Sequence, residues 1–201
     1  MEQLLTHRAG FKREAINGAR ALDMMSHFAA VLATPLADEP GGAMVYSNIG
    51  YLTLGMVTEA VTGIEYARYC RNASLVPMQA SGSIDSQLRA RAPNGGWRVS
   101  ALDYAKFMQV FEPGPAGLGN ISRQWQQSLG DKAYGLGVII RRTAKGLVLS
   151  HSGRVAASER GGAYSMKYDT GWTVVVTFAG DPKEKGTQDL RRRLDAAIAE
   201  T

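Results

Sequence analysis

The sequence is poor in cysteine and in long apolar runs, and each scarcity excludes a class of protein. Cys70 is the single cysteine of the 201 residues, so the chain has no internal disulfide. It lies in an amphipathic stretch without a neighbouring histidine, which favours a buried structural thiol over a reactive one. No apolar run approaches the roughly 20 residues of a transmembrane helix, so no membrane span is predicted. The N-terminus carries charges instead of a signal-like apolar stretch, and the compartment stays undecided between bacterial periplasm and cytoplasm.

Metal ligands are scarce as well. His27 has helix-surface neighbours and no partner at the spacing of a metal site. Aspartate and glutamate show no paired-ligand pattern along the chain. The sequence therefore predicts no metal site and no cofactor.

Positive charge exceeds negative charge, with 23 Lys and Arg against 18 Asp and Glu. Such a balance favours anionic partners, including nucleic acid, a lipid surface or a carboxylate substrate. The densest basic cluster, 191–193, lies close to Asp189 and Asp195, which indicates the solvated face of a terminal helix. No helix-turn-helix, zinc-finger or aromatic-interleaved basic pattern accompanies it, so we predict no nucleic-acid partner. A basic α+β protein that binds nucleic acid is kept as an alternative hypothesis.

Helical spacing dominates the first two thirds of the chain. The clearest helix follows Tyr46, where Ser47 or Asn48 can serve as N-cap and Gly63 can act as the C-terminal cap. Polar and glycine-containing residues predict a loop over 78–96. Further helices are predicted over residues 1–11, 12–34, 64–76 and 100–110.

The last third alternates with the period of β-strands. Strands are predicted over 136–142, 147–151, 162–168 and 172–178, with turns at 144–146 and 169–171. A final amphipathic helix covers roughly 184–199. Helices followed by an antiparallel meander and another helix indicate an α+β fold. We predict one domain over 1–201, mainly helical over 1–130, with an antiparallel sheet and a terminal helix packed on it over 131–201.

Tyr46 and Asn48 are the first candidates for chemistry. A tyrosine phenol normally titrates near pH 10, so it acts as a general base only where a cation or a donor stabilises its oxyanion. Tyr46 directly precedes a helix start, whose N-terminus supplies part of that field. Asn48 can donate and accept hydrogen bonds at once, which suits the orientation of a substrate amide. The alternative is a turn tyrosine packed against Tyr51, with Asn48 simply capping the helix.

Four stretches occur in an order that carries more weight than any one of them. The first reads Leu-Leu-Thr-His-Arg-Ala-Gly-Phe and the second Tyr-Ser-Asn-Ile-Gly-Tyr. The third runs from Gly-Gly-Trp to Ser-Ala-Leu-Asp, and the fourth joins Tyr-Gly-Leu-Gly to His-Ser-Gly. They lie at 4–11, 46–51, 95–103 and 134–153. Together they resemble the serine β-lactamase and penicillin-binding protein family, especially its class C β-lactamase, D-Ala-D-Ala carboxypeptidase and family VIII esterase branch.

The resemblance implies a partial β-lactamase/transpeptidase-like fold, with Tyr46 as base and Asn48 in substrate contact. His151 would take the place of the family's lysine and supply a proton or a positive charge. Ser152 would contact a substrate carboxylate or carbonyl. Gly153 would permit the close approach of a substrate that pairs like an added strand.

Two more assignments follow from the same resemblance. The backbone N–H of Arg154 would be one of two oxyanion donors. His7 falls in a structural motif, outside the catalytic groups. For His151, a strand-end histidine without a function is the alternative.

The nucleophile of that family has no counterpart in this sequence. It lies in Ser-x-x-Lys, where the lysine eases deprotonation of the serine and a tyrosine relays the proton. No serine here has lysine three positions later, and no Gly-x-Ser-x-Gly elbow is present. The resemblance therefore predicts a missing N-terminal portion, either truncated or carried by a separate polypeptide.

The functional prediction joins these observations. It is a serine hydrolase that cleaves a β-lactam, a D-Ala-D-Ala peptide or a small ester through an acyl-enzyme, with the nucleophile missing from this chain. The alternative is a non-catalytic remnant or binding module that retains the substrate cleft. Without N-terminal strands the sheet would expose an edge, which predicts self-association or binding of a complementary N-terminal segment.

Overall fold

A computed structural model of the chain describes residues 1–12, 23–111, 132–135, 137–143, 146–155, 161–180 and 183–199. Helices precede the main sheet and one helix follows it, so the predicted α+β class is confirmed. The described helices are α1 (Glu2–Leu5), α2 (Met24–Leu32), α3 (Asn48–Thr62), α4 (Tyr66–Cys70), α5 (Ala92–Gly95), α6 (Ala101–Phe107) and α7 (Lys183–Ala199). The strands are β1 (Ser83–Ile84), β2 (Trp97–Arg98), β3 (Lys132–Gly135), β4 (Val138–Thr143), β5 (Gly146–Val155), β6 (Gly161–Tyr168) and β7 (Thr173–Ala179).

Helix α3 begins and ends as its sequence predicts. Of the two candidate caps, Ser47 is the N-cap, and its hydroxyl accepts the Ile49 N–H at 3.3 Å. Gly63 ends the helix with a φ of 66°, a left-handed conformation that glycine adopts readily. The buried face of α3 packs on α2 in a cluster of Val31, Ile49 and Leu52.

Two predictions, one of a helix and one of a loop, need correction. The helix predicted over 64–76 is α-helical only over α4 and continues as a wider π-helical turn, Arg71–Leu75. The loop predicted over 78–96 contains the β1–β2 pair, a 3-10 helix (Ser86–Arg91) and α5. These elements are too short to show a periodicity that a sequence pattern can detect. The predicted helix over 12–34 is confirmed for α2, and residues 13–22 lie outside the described residues.

Five antiparallel strands form the main sheet in the order β3-β4-β5-β6-β7. The four predicted strands are confirmed with shifted ends. Strand β3 was not predicted, because its four residues lack the β-branched alternation of a typical strand. Gly171, with a φ of 98°, forms the tight turn between β6 and β7. The other predicted turn falls largely on residues 144–145, outside the described residues.

Helix α7 packs on one face of the sheet, as predicted. Asp195 of α7 accepts hydrogen bonds from the Arg141 guanidinium at 2.7 Å and from the Tyr168 hydroxyl at 2.9 Å. The apolar part of this contact is formed by Val148, Tyr164, Met166, Tyr168, Leu194 and Ile198. Buried side chains on the opposite side of the sheet form a second cluster of Val138, Ile140 and Leu149.

Cys70 is half-buried in the helical part. Burial raises the pKa of its thiol, which keeps the sulfur protonated and unreactive at neutral pH. Within the described parts of the chain, no helix combines the length and the apolar character needed to cross a bilayer. The same residues contain no group of three or more His, Cys, Asp or Glu side chains suited to a metal ion.

Candidate active site

Tyr46 lies in the irregular segment just ahead of α3, with 36% of its surface exposed. His7 of the first motif forms hydrogen bonds with the backbone of this segment. The Val45 N–H donates to the His7 carbonyl oxygen at 2.9 Å, and the Ser47 N–H donates to His7 Nδ1 at 3.2 Å. The His7 imidazole packs against the Tyr46 ring, with 4.3 Å between ring centroids. The first two sequence motifs therefore form one structural unit.

Asn48 is the first residue of α3 and is half-buried. Its carbonyl oxygen accepts a hydrogen bond from Asn94 Nδ2 at 3.2 Å. Asn94 belongs to α5 and directly precedes Gly95, the first residue of the third motif. This contact ties the third motif to the helix start that follows Tyr46, and Ser47 leaves the Asn48 side chain without a capping function.

Tyr134 of β3 joins the sheet to these helical motifs. Its buried ring lies 4.3 Å from the His7 ring, 5.8 Å from Tyr46 and 6.1 Å from His151, measured between centroids. Tyr51 of α3 borders the same group, and its hydroxyl donates to the Leu5 carbonyl oxygen at 2.9 Å. We name His7, Tyr46, Tyr51, Tyr134 and His151 the aromatic cluster.

The two predicted catalytic residues, Tyr46 and His151, thus both pack near one buried tyrosine, Tyr134. The sequence did not single out Tyr134 or Tyr51 and placed His7 in a structural motif. All three belong to the four ordered motifs, which was the available signal. Their convergence comes from long-range packing that a local pattern does not contain.

Burial dominates the electrostatics of the aromatic cluster. It lowers the pKa of His7 from its usual 6.5 to about 4 and also lowers the pKa of His151. It raises the pKa of Tyr51 and of Tyr134, which therefore stay protonated. The resemblance implied that His151 supplies either a proton or a positive charge. With its pKa lowered, the imidazole is neutral at neutral pH, which disfavours the role of a positive charge.

Among the described residues, β5 loses its neighbour on the β4 side after His151. Strand β4 begins at Val138, and its last pair with β5 joins Ile139 to Ser150, whereas β6 continues beside β5 to its end. The same register places Val138 beside His151, and no described strand lies on the β4 side of Ser152 and Gly153. Ser152 and Gly153 are exposed, and a Cβ built on Gly153 would meet no atom of the described residues within 4 Å.

The exposed edge of β5 is geometrically suited to an added strand. Its main-chain N–H and C=O groups can pair with an extended ligand. Arg154, the next residue, is also exposed and stands opposite Gly162 of β6. A Cβ on Gly162 would collide with the Gly153 carbonyl oxygen, so β6 approaches β5 closely because this position is glycine.

Comparison with known proteins agrees with this architecture. The family model described as Beta-lactamase matches residues 1–198. The chain belongs to the Beta-lactamase family. The resemblance of the four ordered motifs is thereby confirmed.

A curated bacterial relative covers nearly the whole of this chain. An Escherichia coli O157:H7 protein named "Putative D-alanyl-D-alanine carboxypeptidase" is 24% identical over 216 residues, covering 97% of this chain and 46% of that protein. The chain therefore spans about half the length of this curated relative.

Two solved structures share the fold. The penicillin binding protein from Bacillus halodurans has a TM-score of 0.75 at 17% identity, over 97% of this chain and 72% of that one. A Beta-lactamase/D-alanine Carboxypeptidase from Yersinia pestis has a TM-score of 0.75 at 18% identity, over 98% of this chain and 69% of that one. The fold is therefore a partial β-lactamase/transpeptidase-like fold.

Proposed function

We propose that this chain forms two sides of the substrate-binding site of a serine acyl-transfer enzyme. Tyr46 lies on one side, and the open edge of β5 forms the other. The observation that carries the proposal is the convergence of Tyr46 and His151 on Tyr134, at 5.8 and 6.1 Å between ring centroids. These residues come from motifs far apart in the sequence. Their meeting beside an open strand edge is suited to binding a β-lactam, a D-Ala-D-Ala peptide or a small ester.

In this proposal each candidate has a defined contact. The substrate lies along the open edge of β5, where Gly153 leaves space and Ser152 donates to a carboxylate or carbonyl oxygen. The N–H of Arg154 is one of two donors to the developing oxyanion. Asn48 orients the substrate amide at the start of α3. Burial lowers the pKa of His151, so its imidazole is neutral and can both donate and accept a hydrogen bond.

The acyl-enzyme step needs a serine from outside these 201 residues, since no Ser-x-x-Lys is present. The serine oxygen would bond to the substrate carbonyl carbon while the Tyr46 phenolate accepts the hydroxyl proton. The bond from that carbon to the leaving nitrogen or oxygen would then break as Tyr46 returns the proton to the leaving group. Water would finally hydrolyse the ester between the serine and the acyl group. The positive end of α3 favours the phenolate that this relay requires.

Ligand binding tests the proposal directly. Titration of a D-alanyl-D-alanine peptide, followed by two-dimensional NMR, is expected to shift the amide signals of residues 151–154. Tyr46→Phe removes one hydroxyl and is expected to weaken binding, whereas Tyr69→Phe is the matched control. Both tyrosines are 36% exposed, and Tyr69 lies on α4, outside the aromatic cluster. Equal affinity in both variants contradicts the proposal.

A fluorescent penicillin separates catalysis from binding alone. We expect no covalent label on the 201 residues, because the sequence offers no serine activated by a lysine three positions later. A stable acyl adduct on any serine contradicts this expectation. Ester turnover that Tyr46→Phe abolishes would reject the second candidate function, a non-catalytic module that retains the cleft.

The outer edge of β7 supports a further part of the proposal. Among the described strands, β7 ends the sheet and has the residues Thr-Val-Val-Val-Thr-Phe-Ala. We propose that it pairs with a complementary N-terminal segment or with a second copy of the chain. Light scattering across a concentration series is expected to show dimers or larger species. A strictly monomeric protein at high concentration rejects self-association.

A further inference from the structure

His7 makes three contacts with the segment 45–47, one to each residue. Its carbonyl oxygen accepts the Val45 N–H at 2.9 Å, and its Nδ1 accepts the Ser47 N–H at 3.2 Å. The two residues that flank Tyr46 are therefore both held by His7. The imidazole supplies the third contact, since its centroid lies 4.3 Å from that of the Tyr46 ring.

The backbone of His7 is itself in an unusual conformation. Its φ of 55° lies in the left-handed region, which only a few per cent of non-glycine residues adopt, asparagine, aspartate and histidine more often than the rest. The side chain is 4% exposed. Such a conformation persists only where the surroundings hold it in place, and it is concentrated at functional sites.

We infer that His7 is a positioning residue that fixes the Tyr46 phenol through its two backbone neighbours and its ring. The inference rests on the proposed function, because positioning serves the reaction only if Tyr46 takes part in it. It assigns His7 a role beyond the structural motif that the sequence indicated.

The contact requires a neutral imidazole. Only a neutral ring keeps a lone pair on Nδ1 for the Ser47 N–H, and the other nitrogen then carries the proton. Burial favours this state by lowering the pKa of His7 to about 4. The Nε2 atom is buried and has no hydrogen-bond partner among the described residues, and it lies amid aromatic rings.

Titratable groups face His7 from three elements. They are Tyr46 and Tyr51 at α3, Tyr134 on β3 and His151 on β5. The neighbouring Arg8 donates instead to the Gly42 carbonyl oxygen at 2.8 Å. Protonation of His7 would remove the acceptor for the Ser47 N–H and so release one of the three contacts that hold the segment 45–47.

The test uses the full chain with 13C-labelled tyrosine, and Tyr46→Phe assigns the Tyr46 ring signal. In the wild-type chain the Tyr46 signal and the Ser47 amide are expected to shift with a common midpoint near pH 4, equal to that of the His7 ring. If His7 titrates while both signals stay constant, the inference is overturned. This arm needs no variant at His7.

Two variants then separate the hydrogen bond from the ring contact. His7→Asn keeps an acceptor near the Nδ1 position and tolerates the left-handed backbone, whereas His7→Phe keeps a ring and loses the acceptor. We expect His7→Asn to abolish the shift near pH 4 while Ser47 stays protected from exchange. In His7→Phe, Ser47 exchange is expected to rise at least about tenfold, the factor for a loss of about 1.4 kcal/mol. Wild-type behaviour in both folded variants overturns the inference.

Binding of a D-alanyl-D-alanine dipeptide in the same samples distinguishes this inference from the proposed function. A pH-dependent Tyr46 signal without dipeptide binding supports the positioning and rejects the proposed function. Dipeptide binding with a Tyr46 signal insensitive to His7 rejects the positioning and leaves the function standing. Far-UV circular dichroism of each variant establishes that it is folded.

Discussion

At the residue scale, burial rather than net charge shapes the candidate site. The protein carries a formal charge of +5, yet the two histidines of the aromatic cluster have lowered pKa values. A neutral His151 can donate or accept a proton but does not bring the fixed positive charge of a lysine. Stabilisation of a phenolate on Tyr46 would then fall to the α3 N-terminus, whose field acts over about one helical turn.

The stability of the protein is expected to decrease as the pH falls from 6.5 to 4. His7 titrates at about 4 in the folded chain and near 6.5 when unfolded, so between these values the unfolded state binds the extra proton. The free energy of unfolding should fall by up to about 3 kcal/mol from this residue alone. Urea unfolding at pH 7 and at pH 4.5 measures the change.

His7→Asn is the control for this pH dependence, because asparagine does not titrate in this range. The difference between the two pH values should be smaller in the variant than in the wild type. An equal difference would show that His7 does not carry it.

Alanine substitution of two glycines in the β5–β6 pair is expected to affect different properties, ligand affinity at Gly153 and stability at Gly162. Gly153→Ala places its Cβ in open space and should leave the melting temperature unchanged. It should weaken D-alanyl-D-alanine binding about tenfold, equivalent to about 1.4 kcal/mol. Gly162→Ala forces its Cβ against the Gly153 carbonyl oxygen and should destabilise the chain by about 1–3 kcal/mol. Ligand titration and thermal unfolding of both variants check the pair, and unchanged affinity in Gly153→Ala would contradict strand addition.

At the scale of elements, the sequence predicted those with helix caps or a β-branched run of their own and missed the shortest ones. The caps of α3 were predictable because a hydroxyl cap and a left-handed glycine act on adjacent backbone. The strand run 173–179 was predictable from its β-branched composition. Strand β3 and α5 were missed because elements of four residues have too little pattern of their own.

The contact between α7 and the sheet gives a prediction with a matched control on the same helix. Asp195 accepts from Arg141 and Tyr168 across the interface, whereas Asp189 pairs with exposed Arg192 and Arg193 on its own helix. Asp195→Ala should destabilise the chain by about 1–2 kcal/mol, because partly buried donors lose their acceptor. Asp189→Ala should change stability by less than about 0.5 kcal/mol. Chemical denaturation of both variants measures the difference, and equal losses would reject a stabilising role for the Asp195 contact.

At the scale of the whole molecule, the order of the four motifs was readable and their convergence was not. Tyr46, Asn48 and His151 could be chosen from the sequence, since their motifs occur in the order of the family. The places of His7 and Tyr134 between them depend on contacts between the helices and the sheet. The strand predicted over 147–151 stopped short of Ser152, Gly153 and Arg154, whereas β5 extends to include all three.

We propose that residues 1–201 behave as a single domain, with a helical part over 1–130 and the sheet and α7 over 131–201. Unfolding followed by far-UV circular dichroism and by tyrosine fluorescence should then give coincident transitions. Two separate transitions would show that the helical part and the sheet unfold independently.

The aromatic cluster also has a consequence for the order of folding during synthesis. A ribosome delivers His7 and Tyr46 early, whereas Tyr134 and His151 emerge only after more than half of the chain has been made. Contacts between such distant residues form slowly, because a long loop must close first. Until β3 and β5 arrive, the early half presents uncovered aromatic rings to the cell, so the candidate site should be completed late and should be the part of the nascent chain most in need of a chaperone.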